Sequence, residues 1–458
     1  MWLCYAAGYL EKAEHDVELF DAVAAGLSIN QITAALGEFV PGMIVLDTST
    51  PSIYNDIEVG EELKRIYPNA FTVLVGVHVS ALPLETLSLS PQIDAVAFGE
   101  YDETLCELAS VLSESGRDTE PLLKVRGLAF RDTDGAVHKN ESRPFIEDLD
   151  NIPFVSQVYH RHLDIDPYFY SHSRHPIVTL VTGRGCHFRC TYCVYPQTLQ
   201  GHKYRKRSIE SIVQEFLYIR DNFPDVKEIM IEDDTLTADK KRCRELSEAL
   251  IATGGHRIPW SANSRPDVDY DTMCLMHKAG CRLLCVGFES GDQTILDNLE
   301  RNITLDKIYD FTANARRAGI LIHGCFMAGN RGETRESLQK TLKFAKELNP
   351  DTAQFYPIMV YPGTSDYKHF KEKGCIVSDD FRKWLTIDGL HSSVVSDSSL
   401  TYEELSEFCD RARKEFYLRP AYIFSKLRQM TAYPPEAKRI IKAGLTFIKY
   451  LFKRPAKT

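Results

Sequence analysis

The chain has 458 residues, 44% hydrophobic and 26% charged, with a formal net charge of −10, which gives room for two or three domains with ordinary globular cores. No run approaches the roughly 18 apolar residues of a membrane span and no charged-then-apolar leader opens the chain, so a cytoplasmic, non-exported protein is expected. An acidic balance argues against nucleic acid as a partner, and twelve scattered cysteines are too sparse for a disulfide framework and suit a reducing compartment.

Met1 to Lys12 reads as an apolar helix with no strand ahead of it. Strand and helix patterns then alternate. Strands are expected at Val17-Glu-Leu-Phe20, Met43-Ile-Val-Leu46, Phe71-Thr-Val-Leu-Val75 and Asp94-Ala-Val-Ala-Phe98, and helices over 30–39, 53–67, 82–89 and 102–114. Short apolar strands between amphipathic helices predict a doubly wound parallel sheet, with ligands beyond the strand C-terminal ends. Those ends carry Thr48, Ser49 and Thr50, then Gly76 and His78, then Gly99 and Glu100. Residues 124–143 read as a hairpin about a Thr133-Asp-Gly135 turn. The aromatic stretch from there to Pro176 reads as a surface linker, because His160, His162, His172 and His175 have neither helical register nor matching thiols.

Next comes an apolar β-branched run, Ile177-Val-Thr-Leu-Val-Thr182, followed by Gly183-Arg-Gly-Cys186-His-Phe-Arg-Cys190-Thr-Tyr-Cys193. Thiols at C-x₃-C-x₂-C spacing on a glycine-containing loop suit one iron–sulfur cluster, since thiolate is the soft ligand iron takes. A 4Fe–4S cube normally takes four cysteines. Three leave one iron open, as catalytic metal sites do. The competing readings are a zinc site completed by His187 or His202, which would favour paired C-x₂₋₄-C elements, and three unrelated core cysteines. The remaining cysteines, Cys281 and Cys285 among them, fall in apolar runs and read as small core hydrophobes.

Six strand–helix units from residue 177 have the size of a partial (β/α) barrel, whose chemistry sits on loops after the strand C-terminal ends. Ser208 and Thr304 are suitable N-caps for two of its helices. The second strand ends in Glu232-Asp233-Asp234, acids that repel one another unless solvated or given a cation. On the third, alternation puts Ser261, Asn263 and Arg265 on one face. The fourth ends in Glu289-Ser290-Gly291-Asp292, and the fifth in Gly329-Asn-Arg-Gly332-Glu333-Thr334, with Glu333 opening the next helix. The sixth ends in Tyr361-Pro-Gly-Thr364. Solvated turns, polar lining and helix caps are the plain alternatives for these motifs. Residues 376–417 read as mostly helical. The tail from Arg419 carries about ten basic residues against the single acid Glu436, so its net +9 leaves the rest near −19. Its apolar run over 440–452 reads either as a basic amphipathic helix for anionic lipid or as a helix packed on the barrel.

With Tyr192 completing C-x₃-C-x-aromatic-C, the triplet and the ordered strand-end motifs resemble the radical S-adenosylmethionine (radical SAM) superfamily as far as about residue 375. The resemblance implies that Cys186, Cys190 and Cys193 hold a 4Fe–4S cluster whose open iron chelates SAM. An electron from a flavodoxin- or ferredoxin-type donor would then cleave SAM to methionine and a 5′-deoxyadenosyl radical. It further implies SAM-binding roles for Tyr192, Glu232, Asp233, Asp234, Ser261, Asn263, Arg265, Glu289 and Ser290. Glu-Asp-Asp departs from the family's Gly-Gly-Glu, and Asn330-Arg331 from its Leu-Pro.

Residues 1–120 resemble the cobalamin-binding domain that precedes many such barrels, which implies corrin contacts at Thr48, Ser49, Thr50, Gly76, His78, Gly99 and Glu100. The cobalt-ligating Asp-x-His-x-x-Gly is absent, Gly76-Val77 stands for Gly-Gly, Gly99-Glu100-Tyr101 stands for Gly-Glu-Gly, and the domain reads as N-terminally shortened. The expected fold class is α/β. A doubly wound, Rossmann-like domain of cobalamin-binding type (1–120) leads through a hairpin and linker (121–176) to a partial (β/α)₆ radical SAM barrel (177–375), then a helical extension with a basic tail (376–458). The motifs look closest to the hopanoid-associated and anaerobic magnesium-protoporphyrin ester cyclase subgroup. That kinship implies attack on an unactivated carbon of a hydrophobic, lipid-like small substrate, by cobalamin-dependent C-methylation or by radical ring formation, with peripheral membrane contact through the tail. A non-catalytic cobalamin- or cluster-binding sensor is the competing class.

Overall fold

The structure is a computed structural model that describes residues 1–386, 389–432 and 434–452. Its first sheet has five strands in the order β1 (Met43–Thr48), β2 (Phe71–Gly76), β3 (Ala95–Ala97), β4 (Leu128–Arg131) and β5 (Val137–Lys139). β1 to β3 run parallel, and the β4–β5 hairpin adds antiparallel to β3. β2 is buried throughout, as a parallel strand covered on both faces must be. Ile53 and Ile57 pack with Leu74 and Val96 on one face, while Leu105 and Leu108 pack with Val73 and Val75 on the other.

Two expectations change here. The run Val17–Phe20 keeps its alternation, with Leu19 buried and Glu18 exposed, but no strand pairs with it among the described residues and it stays extended coil. The hairpin belongs to the first sheet and not to the linker, because its backbone completes the ladder on β3.

After β6 (Ile177–Leu180), an antiparallel ribbon of β7 (Gly183–Arg184) and β8 (Arg205–Lys206) brackets the cysteine loop. β9 (Glu228–Ile231), β10 (Trp260–Ser264), β11 (Cys281–Glu289), β12 (Leu321–Ala328) and β13 (Thr352–Pro357) then add in chain order, all parallel. β6 and β13 do not pair, so the six-stranded sheet is an open barrel. The helices start where their caps place them: the Ser208 side chain accepts from Ser211 N, and that of Thr304 from Lys307 N.

Among the described residues of 376–400 there is no α-helix. Isolated bridges join Ile376 to Val395 and Leu385 to His391 around a 3₁₀ turn, Phe381–Trp384, and the next helix begins only at Tyr402 behind a Thr401/Glu404 capping box. Asp380 and Asp397 take nearby backbone N–H groups with their side chains, the local competition that disfavours helix. Beneath the barrel, the helix Pro434–Phe452 presents Glu436 and Arg439. Glu436 accepts from Arg174 (3.0 Å), Arg282 (3.5 Å) and Arg439 (2.7 Å), and Arg282 also pairs with Glu228 at the start of β9 (2.7 Å). This buried ion network joins the tail to the lower end of the sheet. The last basic residues of that tail, Lys453, Arg454 and Lys457, lie outside the described residues. No described helix is long and apolar enough to cross a membrane.

Candidate functional site

At the upper end of the barrel lies a cavity of about 220 Å³ whose wall includes Cys186, Cys190 and Cys193. The loop that carries them is pinned from several sides. Asp233, at the end of β9, accepts from Thr182 N (2.6 Å), Gly183 N (3.1 Å), Thr182 Oγ1 (2.6 Å) and Tyr204 OH (3.0 Å). Gly185 has φ +85°, and a Cβ there would stand 2.4 Å from the Lys203 carbonyl oxygen, so only glycine passes. Gln197 Nε2 donates to Cys193 O at 2.7 Å. His202 Nδ1 lies 3.2 Å from the carbonyl oxygens of Cys186 and Phe188, and His187 is exposed. Neither histidine lines the cavity, so the zinc alternative lacks its fourth ligand.

Two arginines stand over the thiols. Arg301 Nη1 is 3.6 Å from Cys190 Sγ and 3.1 Å from Tyr192 OH. The Arg265 guanidinium sits 3.6 Å above the Phe188 ring and 4.0 Å from Cys190 Sγ. Tyr192 OH donates to Glu289 Oε1 at 2.8 Å, with Arg301 at 3.7 Å from the same carboxylate. Burial and then its neighbour Asp233 push the Asp234 carboxyl up to about 7. Burial also pushes the Cys186 thiol up to about 11 and the Cys193 thiol well above its ordinary value. A bound iron would reverse that preference, because a coordinating thiol is deprotonated outright. Asp234 Oδ2, Glu289 Oε2 and the Nε atoms of Arg265 and Arg301 are buried without a hydrogen-bond partner, Arg265 Nε having only the Asp267 carboxylate at 3.9 Å. Unpartnered acceptors and donors in one cavity, beside soft thiol donors, fit a cluster and a zwitterionic ligand together.

Of the residues expected at this site, Tyr192, Asp234, Asn263, Arg265 and Glu289 line the cavity with the cysteines. Glu232 stands behind Asn263, which donates to it at 3.2 Å. Asp233, Ser261 and Ser290 lie outside the wall. Asp233 holds the loop, Ser261 Oγ donates to Glu228 Oε1 at 2.6 Å low in the barrel, and Ser290 Oγ pairs with Thr341 at 3.1 Å. Glu333 does not open the next helix. It folds back to accept from Gly329 N and Asn330 N at 3.0 Å, and Thr334 caps the helix Arg335–Leu348.

No sequence motif marks Arg301, which lies in a loop, nor Cys325 and Tyr356, which also line the cavity. Cys285 is not the core residue its apolar run suggests. It faces the cavity with Gly287 and Glu289, and that shared strand parity is the available signal. Cys281 is fully buried core. The linker reading fails for His172, whose Nε2 lies 3.5 Å from Cys285 Sγ and whose ring stacks on His323 at 4.5 Å. His160, His162 and His175 bond separately, to Tyr218, Glu11 and the Asp166 carbonyl.

The helix after β2, Val77–Ala81, packs on the turn Pro196–Gln200 that follows the cysteines, which brings the strand ends of the first sheet beside the cysteine loop. Gly76, at φ +112°, comes so close to β1 that a Cβ would stand 2.4 Å from Thr48 O, whereas a methyl group added at Gly99 would meet nothing within 4 Å. Ser80 Oγ ties the two loops, donating to Gly76 O at 2.7 Å and accepting from Gly99 N at 3.0 Å. Thr48 Oγ1 donates to Val75 O (2.7 Å), Ser49 pairs with Ser52 (2.8 Å), and Thr50 lies 3.2 Å from His78 Nδ1. His78 is buried, with Phe381 edge-on at 5.1 Å, and burial lowers its pKa to about 4. Open backbone at Gly99 beside small hydroxyl side chains fits the approach of a large planar macrocycle.

Glu100 does not face that opening. It accepts from Arg205 through two bonds of 2.7 Å and from Ile146 N at 2.9 Å, while Asp102 holds Arg184 at 2.7 Å. All four charged side chains are buried, and they join the end of β3 to the β7–β8 ribbon. Asp47 and Tyr195 carry no sequence signal of their own. Both side chains reach solvent, yet the surrounding protein pushes Asp47 up to about 6 by desolvation. Desolvation, then Asp47, then Asp234 raise the Tyr195 hydroxyl to about 12.

Residues 180–345 match the radical SAM superfamily and residues 1–109 the B12 binding domain. The chain is 32% identical over 427 residues to an uncharacterized methyltransferase of Pyrococcus horikoshii, covering 93% of this chain and 89% of that protein. It is 26% identical to the anaerobic magnesium-protoporphyrin IX monomethyl ester cyclase of Rubrivivax gelatinosus, covering 94% and 76% respectively. Among solved structures, the fold matches a radical S-adenosylmethionine methyltransferase from Kitasatospora setae with cobalamin and a [4Fe-4S] cluster bound. That match has a TM-score of 0.70 at 17% identity, over 91% of this chain and 88% of the other.

Proposed function

Because the chain belongs to the radical SAM superfamily, in the class that carries a B12-binding domain ahead of the barrel, we propose that it is a cobalamin-dependent C-methyltransferase acting at an unactivated carbon of a hydrophobic or lipid-like small substrate. It is an enzyme of the radical SAM type, and its cofactors are a 4Fe–4S cluster, SAM and cobalamin. The observation that carries the proposal is the cavity walled by the three thiols and by acids and arginines with unused hydrogen-bonding atoms, in a chain whose first domain leaves open backbone at its strand end, Gly99.

In this reading Cys186, Cys190 and Cys193 hold the cluster, and Gly185 and Asp233 hold their loop. Asp234 and Glu289 compensate the cationic groups of SAM, and Arg265 and Arg301 its carboxylate. Gly76, Gly99 and the hydroxyls after β1 receive the corrin, with Asp47 and Tyr195 toward the reacting side. When bound, the cluster and SAM supply a 5′-deoxyadenosyl radical and the cobalamin a transferable methyl group. The buried wall excludes water from a reactive intermediate. A low-potential flavodoxin- or ferredoxin-type protein supplies the electron.

Radical ring formation is the second reading, favoured by the similarity to the cyclase over 94% of the chain. The fate of the methyl group separates the two. With SAM deuterated at the methyl group, methyl transfer yields S-adenosylhomocysteine and trideuteromethyl product alongside 5′-deoxyadenosine. Deoxyadenosine with no S-adenosylhomocysteine overturns it in favour of the cyclase-like course. Contact with the inner face of the membrane is also proposed, supported by exposed Ile441, Leu445 and Ile448 beside exposed Lys438, Lys442 and Lys449. Co-sedimentation with anionic but not neutral vesicles is the expected result, and equal recovery in the supernatant with both overturns it.

A further inference from the structure

The cysteine loop has two sides. Cys186 and Cys190 line the cavity, whereas His187 and Arg189, between them in sequence, are exposed. On the outer side, His187, His202, Lys203, Lys206 and Lys240 line an open groove of about 720 Å³. The wall between groove and cavity is thin. His202 Nδ1 reaches the Cys186 carbonyl at 3.2 Å, and half-buried Phe188 touches both sides, its ring 4.1 Å from that of His187 and 3.6 Å from the Arg265 guanidinium.

The charges are unevenly spent. Lys203 pairs with Glu147 at 2.5 Å and Lys206 with Asp239 at 2.8 Å. Lys240 in the groove wall and Arg189, outside it on the cysteine loop, have no carboxylate partner among the described residues and are exposed. On a chain of net charge −10, this is a basic island set over the thiols, and such a patch steers an acidic partner while contributing little to the fold itself.

We propose that this groove is the docking surface for a small acidic one-electron carrier protein of the flavodoxin type. The inference rests on the proposed function, since only a site that cleaves SAM reductively needs such a donor. The carrier is oxidised by one electron and the site behind the loop is reduced by one, with no bond made or broken at the groove. Docking here sets the donor on the outer side of the loop that carries the thiols, and the acidic body of the chain, the basic tail apart, repels it from other faces.

The test uses Arg189→Glu/Lys240→Glu, neither residue touching the cavity. Binding of oxidised flavodoxin to the cofactor-free protein is measured by calorimetry at about 50 and about 300 mM salt, where screening differs strongly. Wild type should bind with marked salt dependence, and the double variant at least tenfold more weakly with that dependence largely lost. In the reconstituted enzyme, 5′-deoxyadenosine formation driven by flavodoxin should fall while that driven by dithionite, which needs no docking, stays at the wild-type rate. Unchanged flavodoxin binding overturns the proposal, and so does an equal fall with both reductants. Failure of the proposed function shows separately, as absent methyl transfer in dithionite-driven wild type that still binds flavodoxin.

Discussion

Replacing Glu100 by glutamine tests whether the two domains are joined as the structure has them. Glu100 takes two bonds from Arg205 and one from Ile146 N, with Arg184 Nη1 3.6 Å away, all in the buried seam between β3 and the β7–β8 ribbon. Glutamine keeps one acceptor oxygen and aims an N–H₂ at a guanidinium, leaving the quartet with an uncompensated positive charge. Removing one member of a buried pair costs about 3–5 kcal/mol. The assay is urea unfolding of the cofactor-free protein under reducing conditions, followed by intrinsic tryptophan fluorescence, to which Trp2 contributes with its ring 5.5 Å from the Arg184 guanidinium. A loss in that range is expected, and Glu100→Gln/Arg205→Met should cost less than the sum of the single changes. Were Glu100 a corrin contact, as its position after β3 suggests, the variant would unfold within about 1 kcal/mol of wild type and lose cobalamin affinity instead. That result would refute the buried link.

Glu333 predicts a pH dependence. Burial raises its carboxyl from 4.5 to about 7, so between those values the folded state binds the proton more tightly and stability falls as pH rises, by up to about 3 kcal/mol. Glu333→Gln, which can still accept from Gly329 N and Asn330 N, should flatten that decline in thermal melts between pH 5 and pH 8, and an unchanged slope contradicts it. Gly185→Ala should leave the far-ultraviolet circular dichroism intact but cut reconstituted iron from about four atoms per chain to below one, because the added methyl meets Lys203 O at 2.4 Å. Full iron loading would show that the loop tolerates a different path.

The barrel and its thiols are legible in the sequence because they rest on local signals: strand runs of period two, N-caps such as Ser208 and Thr304, and the cysteine spacing itself. Positions decided by distant packing are not. Asp233 and Asp234 are adjacent and chemically alike, yet one is consumed by Thr182, Gly183 and Tyr204 while the other faces the cavity. No feature of the dipeptide distinguishes them. Glu100 looks like a ligand contact because it follows a strand end, and its partner Arg205 lies 105 residues away. Val17–Phe20 shows the reverse case, a valid strand pattern without a neighbour to complete its ladder. The described residues of 376–400 lose their expected helix to Asp and Ser side chains that bind the backbone locally.

That Cys186, Cys190 and Cys193 hold an iron–sulfur cluster able to turn SAM into a radical is tested most directly by anaerobic reconstitution. The loaded protein is incubated with SAM and dithionite, and 5′-deoxyadenosine is quantified by mass spectrometry in wild type and Cys190→Ala. Deoxyadenosine is expected from wild type, and none above background from the variant. Equal yields from both proteins, or none from a wild type loaded with iron, would contradict the cluster's assigned role.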